Sequence, residues 1–192
     1  MEEIIFVYLV IILSAVFHEY AHAFMAYSLG DNTAKNMGRL TLNPIAHMDI
    51  FGTVLLPLFL LFTGGMFLGY AKPVPYNPYN LRDQKYGEAK IALAGPASNF
   101  LIALIFGLSA RFLPLSLEFF SLLTFVTLIN FILCFFNLIP IPPLDGSKLL
   151  RAFFPNNPLP EMGIFNIFIA LMIALILVFP FSRILTAFLV GL

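Results

Sequence analysis

The amino-acid sequence predicts an all-α polytopic membrane protein, a bundle of about four to five transmembrane helices. Two observations carry that expectation. Hydrophobic residues make up 60% of the 192 and charged residues only 10%, with 23 Phe and no Trp, a composition far from that of soluble globular chains. Five stretches, residues 4–30, 50–71, 91–110, 119–144 and 162–182, carry little or no charge, each over a length near the roughly 20 residues a helix needs to cross hydrocarbon.

The first stretch contains Ala21-His22-Ala23, an A-x-A spacing found at signal-cleavage sites. Glu2 and Glu3 stand where a secretory signal needs positive charge, so a retained helix is expected. The second carries Pro57 and the pair Gly64-Gly65, which make it the weakest spanning candidate. The fifth is followed by residues 184–192, too short to cross alone, which are expected to extend it into a C-terminal helix over 161–192 or to lie at the interface. Between the apolar stretches run three loop-like pieces, 31–49, 71–90 and 145–161. Pro73, Pro75 and Pro78 favour an extended path in the longest of them. No repeat or separate polar domain is visible, and residues 1–192 are expected to form one domain with a core over 4–151.

Ten basic residues balance ten acidic ones, which gives no basic excess for nucleic acid. The single cysteine, Cys134, sits in an apolar run and is expected to pack rather than react. The partners indicated by composition are lipid and lipid-embedded.

The chemistry is concentrated in His18-Glu19-Tyr20-Ala21-His22, the pattern H-E-x-x-H. On a helix the two imidazoles lie one turn apart on one face, where they can share a zinc ion while the carboxylate of Glu19 reaches its water. An ionisable side chain near the bilayer centre costs at least about 2.5–3.5 kcal/mol, so three within five residues call for a compensating partner. A catalytic zinc takes three protein ligands. Outside the motif and the first two residues the candidates are His47, Asp31, Asp49, Asp83, Glu88, Glu118, Asp145 and Glu161. Asp145 stands out, because Pro140, Pro142 and Pro143 break the preceding helix and Gly146 is expected to free the backbone for an inward turn. The alternative is an ordinary Asp N-cap for a helix starting near Ser147.

HEYAH in a first transmembrane helix, GPASN at 95–99 and NLIPIPPLDG at 137–146 resemble the three signature motifs of the site-2 protease family of intramembrane zinc metalloproteases. With GRLTLNPIAHMD and AKPVPYNPYN the resemblance extends from His18 to about Arg151, and it is to the compact branch without PDZ or nucleotide-sensing domains. It implies one zinc ion held by His18, His22 and Asp145, Glu19 as general base, and Asn99 and Asn137 holding substrate or polarising the scissile carbonyl. The implied substrates are transmembrane proteins or peptides, cleaved within or near their membrane segments. A divalent-cation transporter is the alternative, although it has no need of Glu19 beside His18 and the chain lacks an inverted repeat.

Three ligands of one ion must meet at one depth. His18 and His22 lie toward the C-terminal end of the first stretch, and Asp145 follows the end of the fourth. Four full crossings would put those ends on opposite faces. The stretch 50–71 is therefore expected to be re-entrant or broken, or else the proline-rich loop must return through protein. Lys35, Arg39, Lys72, Arg82, Lys85, Lys90, Lys148 and Arg151 then share one face, opposite Arg111 and Arg183. The positive-inside rule makes that face cytoplasmic, in a cell-membrane protein whose active site lies toward the cytoplasm. His47 and Asp49 fall near its mouth, where solvated loop residues are the commoner reading and contact with site or substrate the alternative.

Overall fold

The computed structural model describes residues 2–55, 72–154 and 163–192. Its helices are α1 (Glu2–Ser28), two single turns α2 (Thr33–Asn36) and α3 (Pro44–His47), α4 (Gly87–Phe112), α5 (Leu117–Asn137), α6 (Asp145–Phe153) and α7 (Ile164–Val190). A π-helical turn spans Ile50–Leu55 and a 3₁₀ turn spans Pro78–Asn80. No strand occurs among the described residues. Among the described residues, four helices are long and apolar enough to cross a membrane: α1, α4, α5 and α7. Ile5, Leu9, Leu13 and Phe17, spaced four apart on α1, are each 43–53% exposed. Such a stripe suits lipid and would be costly in water. The chain is a multi-pass helical membrane protein.

Helix α4 is the hub, packed against both α1 and α5. Small residues permit the close approach: Ala23 and Ala26 on α1, and Ala92, Gly95 and Ala103 on α4, are all buried. Helix α5 continues antiparallel from α4 after a four-residue turn, capped by the Ser116 hydroxyl on Phe119 N–H. Helix α7 packs on α5 and α4. There Phe135 meets Phe181 edge to face at 5.0 Å, and Arg111 donates to the Phe188 carbonyl at 3.0 Å. It continues unbroken through Val190, so residues 184–190 extend the final helix.

Helices α1 and α5 run parallel and end on one side, where α4 begins. The Lys72 N–H donates to the His47 carbonyl at 2.9 Å, so the chain returns to the place it left. The expected re-entrant course of 50–71 otherwise lies outside the described residues, beyond the turn at Ile50–Leu55. The eight basic residues assigned to one face sit in segments on this side, and Arg111 ends α4 on the other.

The fourth apolar stretch overshoots its helix. Helix α5 stops at Asn137, and residues 138–144 form successive turns, because three prolines cannot supply helical N–H groups however apolar the segment. The proline-rich loop is held against α1 by Val74, packed on Ala23 and Ala34, and by Leu81, packed on Ala26 and Ile91. Asp31, fully buried, ties its far end. Its carboxylate accepts from Thr33 N at 3.2 Å, Thr33 Oγ1 at 2.6 Å, Asn77 N at 2.8 Å and Asn80 Nδ2 at 2.8 Å. Burial alone would raise its pKa, but these donors outweigh it and hold the carboxyl below its ordinary value.

Candidate metal centre

Helical spacing puts Ser14, His18 and His22 on one stripe of α1. Opposite, running the other way, are Asn99, Gly95 and Ile91 of α4. His18 Nδ1 lies 2.6 Å from Asn99 Oδ1, and His22 Nδ1 lies 2.6 Å from the Ile91 carbonyl. A carbonyl only accepts, so His22 Nδ1 carries the proton. Asn99 donates through Nδ2 to the Ser14 carbonyl at 3.2 Å, which turns its Oδ1 toward His18 and makes that Nδ1 a donor too. Both Nε2 atoms are left with lone pairs, the tautomer a metal-binding histidine needs.

Those two lone pairs face each other and a carboxylate. His18 Nε2 and His22 Nε2 are 3.0 Å apart, and Asp145 Oδ2 lies 3.1 and 3.0 Å from them. Three buried acceptors at this spacing repel unless a cation lies among them. Ligands at zinc bond lengths of about 2.0–2.1 Å in tetrahedral array sit roughly 3.3 Å apart, so the donor set and its spacing suit zinc. Space for it comes from Gly95. A Cβ there would fall 2.5 Å from His18 Nε2 and 2.6 Å from His22 Cε1, with His22 Nε2 nearer still.

Asp145 is the first residue of α6 rather than its cap. Leu144 holds the cap position without a side-chain bond, which removes the N-cap alternative. Its second oxygen, Oδ1, accepts from Lys148 Nζ at 3.2 Å. Gly146 acts otherwise than expected. Its φ is not positive, and what it supplies is room, since a Cβ would meet the Leu138 carbonyl and lie 2.5 Å from that of Ile139. The glycine lets the proline-rich turn fold back onto α6 and so sets where Asp145 stands.

Glu19 is half-buried beside the pair, and its Oε2 accepts from the Val74 N–H at 2.9 Å. It lines, with His18, His22 and Asp145, a cavity of about 400 Å³ walled by α1, α5 and the proline-rich loop. Asn137 lines that cavity, with its amide nitrogen on the Leu133 carbonyl at 2.9 Å. Asn99 does not line it and is fully buried among helices. His47 is 2% exposed and lines the cavity wall, so it is not a solvated loop residue. Its Nε2 donates to the Thr41 carbonyl at 2.7 Å. Asp49 accepts from Gly52 N at 2.8 Å and caps the π-helical turn. Sequence reasoning missed Ser14, Asn130 and Lys148. The four-residue spacing Ser14, His18, His22 on an otherwise apolar helix was the available signal for the first of these.

The profile of peptidase family M50 matches residues 6–116 and 115–179. A Bacillus subtilis (strain 168) protein named "Putative zinc metalloprotease YwhC" is 40% identical over 162 residues, covering 77% of this chain and 69% of that protein. A Mycolicibacterium smegmatis protein named "Putative zinc metalloprotease Rip2" is 32% identical over 142 residues, 73% of this chain and 54% of that one. The "Zinc metalloprotease MJ0392" of Methanocaldococcus jannaschii is 38% identical over 68 residues, 35% of this chain and 20% of that protein. The chain thus spans about two thirds of the first relative and about half of the second. No solved structure matches. The extent of the profile match, over nearly the whole bundle, makes the chain a member of peptidase family M50, the site-2 protease family of membrane zinc metallopeptidases.

Proposed function

We propose that this protein is an intramembrane zinc metalloprotease of the cell membrane, hydrolysing peptide bonds within or near transmembrane segments of other proteins from a site on the cytoplasmic side. The observation that carries the reading is the convergence of two tautomer-fixed imidazole lone pairs and a buried carboxylate oxygen at 3.0–3.1 Å. His18, His22 and Asp145 would hold one zinc ion, whose chemistry when bound is to polarise a water and the scissile carbonyl.

The chain's own residues supply the remainder. Glu19 takes the proton from the attacking water and returns it to the leaving amine, so the C–N bond breaks to an acid and an amine with no net proton change. The Val74 N–H steadies the Glu19 carboxylate through Oε2. A helical substrate hides its amides in its own hydrogen bonds and must be unwound before attack. Asn137, on the cavity wall, is a neutral amide suited to grip an exposed backbone.

The test is Glu19→Gln, with zinc measured by mass spectrometry beside cleavage of a transmembrane reporter in detergent. Zinc should remain at one per chain while turnover falls at least about 10²-fold. Wild-type cleavage by the zinc-loaded variant would refute the assignment of the base.

A further inference from the structure

We infer that Asn99 acts on His18 and not on substrate, and that Asn130 and Ser14 lock it there, so that the three form a positioning device for the metal centre. The inference rests on the metalloprotease reading and departs from the role that the family resemblance implies for Asn99.

Asn99 and Asn130 are fully buried and Ser14 is 4% exposed, at the junction of α1, α4 and α5. Asn99 Nδ2 spends its two protons on the Ser14 carbonyl at 3.2 Å and on Asn130 Oδ1 at 2.9 Å, and its Oδ1 faces His18 Nδ1 at 2.6 Å. Nothing on that amide is left to donate to a substrate. Asn130 is fixed in turn, because its Nδ2 donates to the Val126 carbonyl and to Ser14 Oγ, each at 2.9 Å. Two of these acceptors are backbone carbonyls, which can only accept, so neither amide can flip. A flipped Asn99 would set its oxygen against the Ser14 carbonyl and Asn130 Oδ1 and its nitrogen against His18 Nδ1–H. The orientation therefore passes from Val126 through Asn130 and Asn99 to His18, and it ends with the Nε2 lone pair turned toward His22 and Asp145. For His22 the backbone carbonyl of Ile91 does the same task directly. Within a bilayer no bulk water competes for these groups, so the alternative to this arrangement is an unpaired amide in hydrocarbon.

The zinc-loaded full chain in detergent gives the test. Nitrogen-15 histidine NMR of the wild type should show His18 protonated at Nδ1 and metal-bound through Nε2. The opposite tautomer would overturn the inference without any variant being made. Asn99→Ala should lower zinc affinity about 10- to 100-fold, measured by competition with a chelator, and change the visible spectrum of the Co(II)-substituted protein. Asn130→Ala should move both readouts in the same direction, although that residue lies off the cavity. At saturating zinc KM should stay at the wild-type value. A raised KM with wild-type zinc affinity and an unchanged Co(II) spectrum would return Asn99 to substrate binding. A wild-type chain that binds no zinc would refute the underlying functional reading. Variants that hold zinc as tightly as a zinc-binding wild type would refute this inference alone.

Discussion

Gly95→Ala tests whether the gap between α1 and α4 is a metal site. The added methyl would stand 2.5 Å from His18 Nε2, against 3.4 Å or more for ordinary contact, so the two must part by about 1 Å. A protein zinc site tolerates departures of about 0.2 Å in its ligand distances. Neither imidazole can swing away freely, since each is pinned through Nδ1 at 2.6 Å. Overpacking of this kind costs about 1–3 kcal/mol, which is roughly a 5- to 150-fold loss in zinc affinity if the strain is relieved by displacing ligands. Helix propensity works in the opposite direction, because Ala is better than Gly by about 1 kcal/mol in a helix interior. Loss of zinc therefore cannot come from a weakened α4. The assay is chelator competition on purified protein, with thermal unfolding of the metal-free form in parallel. Gly107→Ala is the control, because the atom it meets most closely is the flexible tip of Leu189, far from the histidines, and zinc should be unaffected. Wild-type zinc affinity in Gly95→Ala would refute the claim that the glycine clears space for an ion.

Three further outcomes follow from the same geometry. Asp145→Ala should lower zinc content and activity together, and zinc analysis showing wild-type stoichiometry would pass the third-ligand role to another residue, His47 first. Asp31→Asn should cost about 1–3 kcal/mol in unfolding free energy at neutral pH, because it removes a charged acceptor from several donors. The folded-state pKa of Asp31 is depressed, so its contribution is present above the ordinary carboxylate value and is lost as pH falls through the lower folded one. Thermal unfolding in detergent should show wild type and Asp31→Asn converging below about pH 4; parallel curves down to pH 2 would remove the ionised clamp. With Cys134 replaced by Ser, single cysteines at Asn32 and Tyr79 should be shielded from an impermeant thiol reagent outside intact cells and one at Leu113 should label, whereas the reverse pattern would invert the proposed orientation.

What could be read from the sequence was whatever an apolar background makes conspicuous. Charged and ionisable residues within a hydrophobic segment are costly, so His18, Glu19 and His22 drew notice without any structure. The demand that ligands share one depth then required the chain to come back after residues 50–71, as the Lys72–His47 bond has it do. Helix ends were harder. Hydropathy reports the solvent around a segment and not its backbone, so the apolar turn at 138–144 was merged with α5. The matching of helices was invisible for a different reason. Ser14, His18 and His22 descend one face of α1 at intervals of four, and Asn99, Gly95 and Ile91 ascend α4 at the same interval. Each stripe alone is ambiguous, since a glycine or an asparagine in a membrane helix has several packing uses. Only their antiparallel alignment sets Gly95 against the two Nε2 atoms and Asn99 against the His18 imidazole. Asn130 shows the limit most clearly. It belongs to no motif, and its worth depends on the Val126 carbonyl of its own helix, the Ser14 hydroxyl of α1 and the Asn99 amide of α4, information that no single segment contains.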